Sequence, residues 1–269
     1  MGVNGMAYLY ETHMHTCTGS ACGVSTGSEH VRYYKDIGYT GIIITDHFFH
    51  GNTAVDRTLP WEKRIDLFCS GYEEALEEGQ KVGLDVFFGW EQHFNGDEYL
   101  VYGLDKAYMK AHPEMEFWTR AEQLAAVHEA GGCVIQAHPF RLRQYMSRLR
   151  IGARFADGIE AANAGNRAVE DARALRMGRE QGLVMTAGSD NHHSPSDRGT
   201  FGVALDERLT CIGDYVKLIL NKGHIGLYVP EERFAITPEI IAQGEPDQAY
   251  VLDAEEKDVR TDRNWLFDA

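Results

Sequence analysis

The sequence predicts an α/β fold built on a mainly parallel sheet or barrel, and three features carry that prediction. Short apolar runs rich in Val, Ile, Tyr and Phe alternate with longer amphipathic stretches. Glycine stands just past each amphipathic stretch, at Gly38, Gly83, Gly131, Gly182 and Gly223, where a helix would end. Strands that alternate with helices feed a parallel sheet. No Pro-rich or Gly/Ser-rich linker and no repeat interrupts the 269 residues, so one domain over 1–269 is expected.

The first strand is expected at 7–11, followed by a helix at 28–37. A strand at 41–45 leads to the long helix 61–82, whose Glu73, Glu74, Glu77 and Glu78 read as a solvated face. Strands at 84–91 and 99–103 follow, then helix 120–130 and strand 133–137. Strand 158–161 precedes helix 167–181, and strands 183–187 and 201–205 precede helix 213–221. From about residue 230 the chain turns acidic and loses periodicity.

The net charge is −15, with 26 basic against 41 acidic residues. Such a chain repels long nucleic acid and anionic membranes at long range, so neither is an expected partner. No apolar run approaches the roughly 20 residues that cross a bilayer, and the first residues lack the basic-then-apolar order of a secretory signal. The five cysteines are odd in number and form no CxxC pair. That pattern fits reduced thiols, and a cytoplasmic location is expected.

Every strong polar cluster falls where a strand is expected to end. These are Thr12-His13-Met14-His15, Asp46-His47, Glu91, His138-Pro139 and Ser189-Asp190-Asn191-His192-His193. In α/β barrels the carboxyl ends of the strands form the active-site face. On an extended strand His13 and His15 point to one side, so two imidazoles can grip one cation, and Asp190 with His192 repeats the spacing. Imidazole with carboxylate suits zinc, iron or manganese. Each motif alone has a structural explanation: an isolated HxH is usually incidental, Asp46 or Asp190 can cap a helix, and His-Pro is usually a turn. Five strand ends that all carry ligand-type residues are hard to explain by packing, because unpartnered buried charge is expensive.

Together, His13-Met14-His15, Thr45-Asp46-His47, Glu91, Ala137-His138-Pro139 and Gly188-Ser189-Asp190-Asn191-His192 resemble the polymerase and histidinol phosphatase (PHP) family in order and approximate spacing. The resemblance implies a PHP-type distorted (β/α)7 barrel and two or three divalent ions at the carboxyl ends of the strands. It also implies phosphoesterase chemistry. By the same resemblance His13, His15 and Asp190 hold a first metal, Glu91 bridges the first and second, His138 binds the second, and His47 and His192 bind a third. Two departures stand out. Ala21 and Cys22 occupy the place where a three-metal member offers another histidine, and Cys22 is there either a thiolate ligand or a small buried residue. The stretch 96–103, which supplies a second-site histidine in the family, has none; His93, Asp97 or Glu98 would have to substitute.

Arg141, Arg143, Arg148, Arg150 and Arg154 form a basic island after His138, and Arg198 follows the last histidine cluster. Arg141 is expected to bind substrate phosphate, since its planar fork matches phosphate oxygens. For the others, salt bridges to acidic helices are an equal explanation. Asn163 and Asn166 are expected on the same rim, whereas His50, His112, His128 and His224 read as surface or packing residues. The expected reaction is hydrolysis of a small phosphomonoester or nucleotide by a metal-activated water, with Asp46, His192 or His193 protonating the leaving oxygen. Hydrolysis of an amide or lactone and a non-catalytic metal-binding module are the alternatives.

Overall fold

The computed structural model describes residues 7–143, 146, 149–196, 200–234 and 249–251. Arg148, Arg198 and most of the acidic C-terminal segment lie outside the described residues. The regular elements are β1 (Tyr8–Glu11), α1 (Gly27–Asp36), β2 (Gly41–Ile44), α2 (Trp61–Val82), β3 (Asp85–His93), β4 (Glu98–Tyr102), α3 (Lys106–Ala111), α4 (Arg120–Glu129) and β5 (Cys133–Ala137). They continue with β6 (Leu149–Ile151), β7 (Gly158–Asn163), α5 (Ala168–Gln181), β8 (Val184–Gly188), β9 (Gly202–Leu205), α6 (Ile212–Leu220), β10 (Gly226–Tyr228) and β11 (Ala249–Val251).

The main sheet runs β10-β9-β1-β2-β3-β4-β5-β7-β8 and curls into a nearly closed barrel. Closure comes from the chain just past β1 meeting the chain just past β8. Thr12 Oγ1 donates to the Ala187 carbonyl at 2.9 Å, Asp190 N to His13 O at 2.8 Å, and His15 N to Asn191 O at 2.8 Å. The segments that carry the HxH and the Asp190 cluster are therefore the seam itself.

The sheet departs from the expected parallel order in two places. β4 is antiparallel to both β3 and β5, because only a short turn joins β3 to β4 and a parallel neighbour needs a crossover. β9 is antiparallel to β1 and to β10. The short elements β6, β10, β11 and α3 carry too few residues to show a period.

Side-chain alternation decides what faces the barrel interior. On β4, Leu100 and Tyr102 pack inside with Ile43, Ile135 and Val203. Tyr99 and Val101 pack outside, under the helices, with Phe68, Trp90 and Val134. The same period puts Glu98 on the inner face and Asp97 on the outer one. On β3, Phe87 joins the inner cluster while Phe88 and Trp90 join the outer, so Glu91 points inward.

The C-terminal segment touches the barrel through Arg233. Its guanidinium donates to Asp171 at 2.6 Å and to the carbonyls of Asn163 and Asn166. Burial pushes Asp171 up to about 6, against the pull of Arg233. Between pH 3.8 and about 6 the folded chain then holds more of this proton than the unfolded chain, so stability falls as pH rises through that window. Asp171→Asn should flatten that slope in urea melts across the window; an unchanged slope would refute the assignment. Trp90 is fully buried in the outer cluster, and Trp90→Ala should cost about 3–5 kcal/mol by the same measurement.

Candidate metal centre

Eight of the residues singled out in the sequence meet at one end of the barrel. His13 Nε2 lies 3.2 Å from Glu91 Oε1 and 3.8 Å from Asp190 Oδ1. His15 Nε2 lies 3.0 Å from Asp190 Oδ1 and 3.6 Å from Glu91 Oε2. His138 Nε2 is 3.1 Å from Glu91 Oε1 and 3.3 Å from Glu98 Oε2. His47 Nδ1 is 2.7 Å from Glu91 Oε2. Among the described residues, ligand-type atoms of four triads lie within 4.8 Å of one another: His13, His15 and Asp190; His13, Glu91 and His138; His47, Glu91 and Glu98; and His15, His47 and His192.

The partners behind the rings fix which nitrogen carries the proton. His13 Nδ1 donates to Glu160 Oε1 at 3.0 Å. His15 Nδ1 donates to Ser20 Oγ at 3.2 Å, because that hydroxyl spends its own proton on Asp46 Oδ1 at 2.7 Å. Neutral rings would therefore present the Nε2 lone pairs of both histidines toward each other, 3.2 Å apart, and toward carboxylate oxygens. His47 Nδ1 and Glu91 Oε2 are within ion-pair distance, yet neither makes a hydrogen bond of proper geometry. Acceptors that face acceptors in a buried pocket repel unless a cation lies between them. Imidazole lone pairs and carboxylates are also the donor set of a first-row divalent ion. The residues present thus fit a metal centre.

Electrostatics express the same demand for positive charge. Burial opposes charge on His13, but Glu160, Glu91 and Asp190 together hold its pKa well above the ordinary value. Burial, His47 and His192 push His15 well below it. Burial also opposes the Asp190 anion, but Arg141 and His13 hold its pKa well below the carboxylate range.

Several supporting residues had no motif to announce them. Glu160 sits inside the apolar strand β7, and its second oxygen accepts from His138 N at 3.0 Å and Asn163 Nδ2 at 2.7 Å. Glu11 accepts from His13 N at 2.8 Å and Ser189 N at 2.9 Å, tying the two seam segments together. A carboxylate within an apolar strand was the available signal for both. Gly188 leaves no room for a side chain: a Cβ there would stand 2.5 Å from the His13 Cβ. His138 and Asp190 adopt positive φ of 29° and 52°, a strain tolerated mainly at functional sites.

Other expectations are corrected. Asp97 does not substitute in the second site; it faces outward and pairs with Arg120 Nε at 2.6 Å. Glu98 takes the inward place. Asp46 is buried, and its oxygens accept from Thr16 N, Thr16 Oγ1 and Ser20 Oγ. His193 is exposed and does not line the cleft. His192 does line it, with its Nδ1 donating to Asp190 O at 2.8 Å and its Nε2 3.1 Å from Cys22 Sγ. Arg141 is buried and donates to Asp190 Oδ2 at 2.6 Å, Asn166 Oδ1 at 2.6 Å and Asn163 Oδ1. Its first task is to position a candidate ligand.

The cleft above the cluster has a volume of about 390 Å³, and His50, Asn52, His93 and Arg143 contribute to its walls. His50, read from sequence as a surface or packing residue, lines this cleft. His112, His128 and His224 are surface residues paired with Glu114, Asp157 and Asp206.

No protein-family model matches the sequence, and no curated relative matches it. Solved structures share the fold. A Bifidobacterium adolescentis protein assigned by inference as a metal-dependent phosphoesterase is 19% identical with a TM-score of 0.53, covering 80% of this chain and 96% of its own. A two-domain protein from Bacteroides vulgatus, containing a region predicted to be a PHP-like metal-dependent phosphoesterase, is 15% identical with a TM-score of 0.58 and covers 85% and 67%. An amidohydrolase from Chromobacterium violaceum with bound sulfate is 14% identical with a TM-score of 0.50 and covers 78% and 96%. The fold of this chain is therefore the PHP-type barrel.

Glu160→Gln removes the charge behind His13 while keeping its shape. It should weaken metal affinity by roughly 10–100-fold in a chelator competition; unchanged affinity would remove Glu160 from the ligand-orienting shell.

Proposed function

We propose that the protein is a metal-dependent hydrolase of small phosphate esters. The observation that carries this reading is the convergence of imidazole nitrogens and carboxylate oxygens on Glu91, with His47 Nδ1 and Glu91 Oε2 left without a hydrogen bond. His13, His15 and Asp190 would hold one divalent ion, and His138 and Glu98 a second, with Glu91 between them. Zinc, iron and manganese all suit these donors. When bound, such ions lower the pKa of a water and offset charge on phosphoryl oxygens.

The chain's own residues supply the positioning. Glu160 and Ser20 hold the His13 and His15 rings in the tautomers that present Nε2. Arg141 keeps Asp190 ionised and aimed. His50, Asn52, His93 and Arg143 line the cleft that a substrate would enter, and its volume of about 390 Å³ favours a small molecule over a polymer. Local cations also reconcile an anionic substrate with a chain of net charge −15.

A second reading, hydrolysis of an amide or lactone, is favoured by one observation: Arg141 commits three of its five N–H donors to Asp190, Asn163 and Asn166. The two separate by screening phosphomonoesters and nucleotides against amides and lactones. Untagged protein should contain two or three equivalents of zinc, iron or manganese by elemental analysis. His13→Ala should lose at least one equivalent and lower kcat/KM on the preferred phosphoester by roughly 100-fold or more, beyond an outer-shell effect. Less than one equivalent, unaltered by the substitution and by added metal, would overturn the reading.

A further inference from the structure

The chain that follows β10 makes a charged contact that the two-ion reading does not use. Arg233, in the turn Glu231–Phe234, sets its guanidinium over the Phe201 ring, 5.3 Å from its centre. Its Nε donates to Asp171 Oδ2 at 2.6 Å. Its Nη2 donates to two carbonyls, Asn163 O at 3.0 Å and Asn166 O at 2.7 Å. Asp171 is fully buried in the first turn of α5. Its oxygens also accept from Asn163 N at 3.2 Å and Asn166 Nδ2 at 2.7 Å. One buried ion pair thus clamps the turn 163–166 where β7 gives way to α5.

The side chains of the same two asparagines serve the metal centre. Asn166 gives its Nδ2 to Asp171, which leaves Oδ1 to accept from Arg141 Nε at 2.6 Å. Asn163 gives its Nδ2 to Glu160 at 2.7 Å, which leaves Oδ1 to accept from Arg141 Nη2. Arg141 then donates to Asp190 Oδ2 at 2.6 Å, and Glu160 accepts from His13 Nδ1 at 3.0 Å. Asp171 therefore decides which end of the Asn166 amide faces Arg141, and Arg233 offsets the cost of burying the Asp171 charge. A guanidinium that only tied down the C-terminal segment would need Asp171 alone. Arg233 instead braces the backbone of both residues whose side chains hold Arg141.

We propose that Arg233 is a positioning residue for the first ion, acting through Asn163 and Asn166 on Arg141 and so on Asp190. This rests on the metal-centre reading above. Without the guanidinium, Asp171 stays buried with no counter-ion and the turn 163–166 loses its brace. Arg141 depends on both amide oxygens of that turn, so a shift there loosens its hold on Asp190. Partners that orient a ligand from behind govern affinity nearly as strongly as the ligands themselves. The C-terminal segment is then part of the metal centre, although none of its described residues reaches a ligand.

The test is a zinc competition against a chelator, run on the full chain as a cycle of two substitutions. Arg233→Met keeps the aliphatic stem and should weaken one zinc equivalent by roughly 10-fold. In an Arg141→Met background the same change should alter affinity little, because the route to Asp190 is already cut. An equal loss in both backgrounds would mean that Arg233 acts on the fold as a whole. Unchanged affinity in the wild-type background would mean that it only anchors the C-terminal segment. Either result overturns the proposal and leaves the metal centre standing. Should Arg233→Met not fold, Arg233→Lys takes its place: one ammonium cannot span Asp171 and both carbonyls, so a smaller loss of the same equivalent is expected, and full retention overturns the proposal too. Wild-type protein that binds no zinc would sink the metal-centre reading itself, and this proposal with it.

Discussion

Glu91 is the group around which the rest of the site is arranged. Its carboxylate is fully buried near the end of β3, and three imidazoles from three other segments approach within 3.2 Å of it. A buried carboxylate is costly unless positive charge compensates it. Of those three rings, His13 gives its Nδ1 proton to Glu160, and His47 Nδ1 and Glu91 Oε2 are left without a hydrogen bond. A divalent ion would offset the buried negative charge with the donors present.

Holding acceptors this close requires force from outside the cluster. Glu11 and the bonds between residues 12–15 and 187–191 close the barrel at the point where two ligand segments meet. Glu160 grips His13 and the His138 backbone at once. Arg141 joins Asp190 to Asn163 and Asn166, and Arg233 holds the carbonyls of those same asparagines. The outer shell is continuous, so barrel closure and ligand placement are one structural event.

Much of the site was legible from the sequence because strand ends are local features. His13, His15, Glu91, His138 and Asp190 stand where apolar runs stop, and a period of two aims His13 and His15 the same way. What the motifs did not carry was which of several nearby polar residues turns inward. Asp97 and Glu98 are neighbours in sequence, and the register of β4 sends one to Arg120 and the other to His138. Arg141 has the right chemistry for phosphate, but only its surroundings show that three of its five N–H donors hold Asp190, Asn163 and Asn166. Glu160 and Glu11 were hidden because a carboxylate within an apolar strand has no spacing rule attached to it.

The sequence by itself determined the alternation of strands and helices, the ligand-type residues at five strand ends, and an acidic chain that needs local cations to accept an anion. Those properties follow from side-chain chemistry and short-range periodicity. Only the tertiary structure decided that β4 and β9 run antiparallel, that the barrel closes between the segments following β1 and β8, and that Cys22 meets His192 across 170 positions of chain. Such contacts depend on strand order and register, which are set by the packing of the whole barrel rather than by any local run of residues.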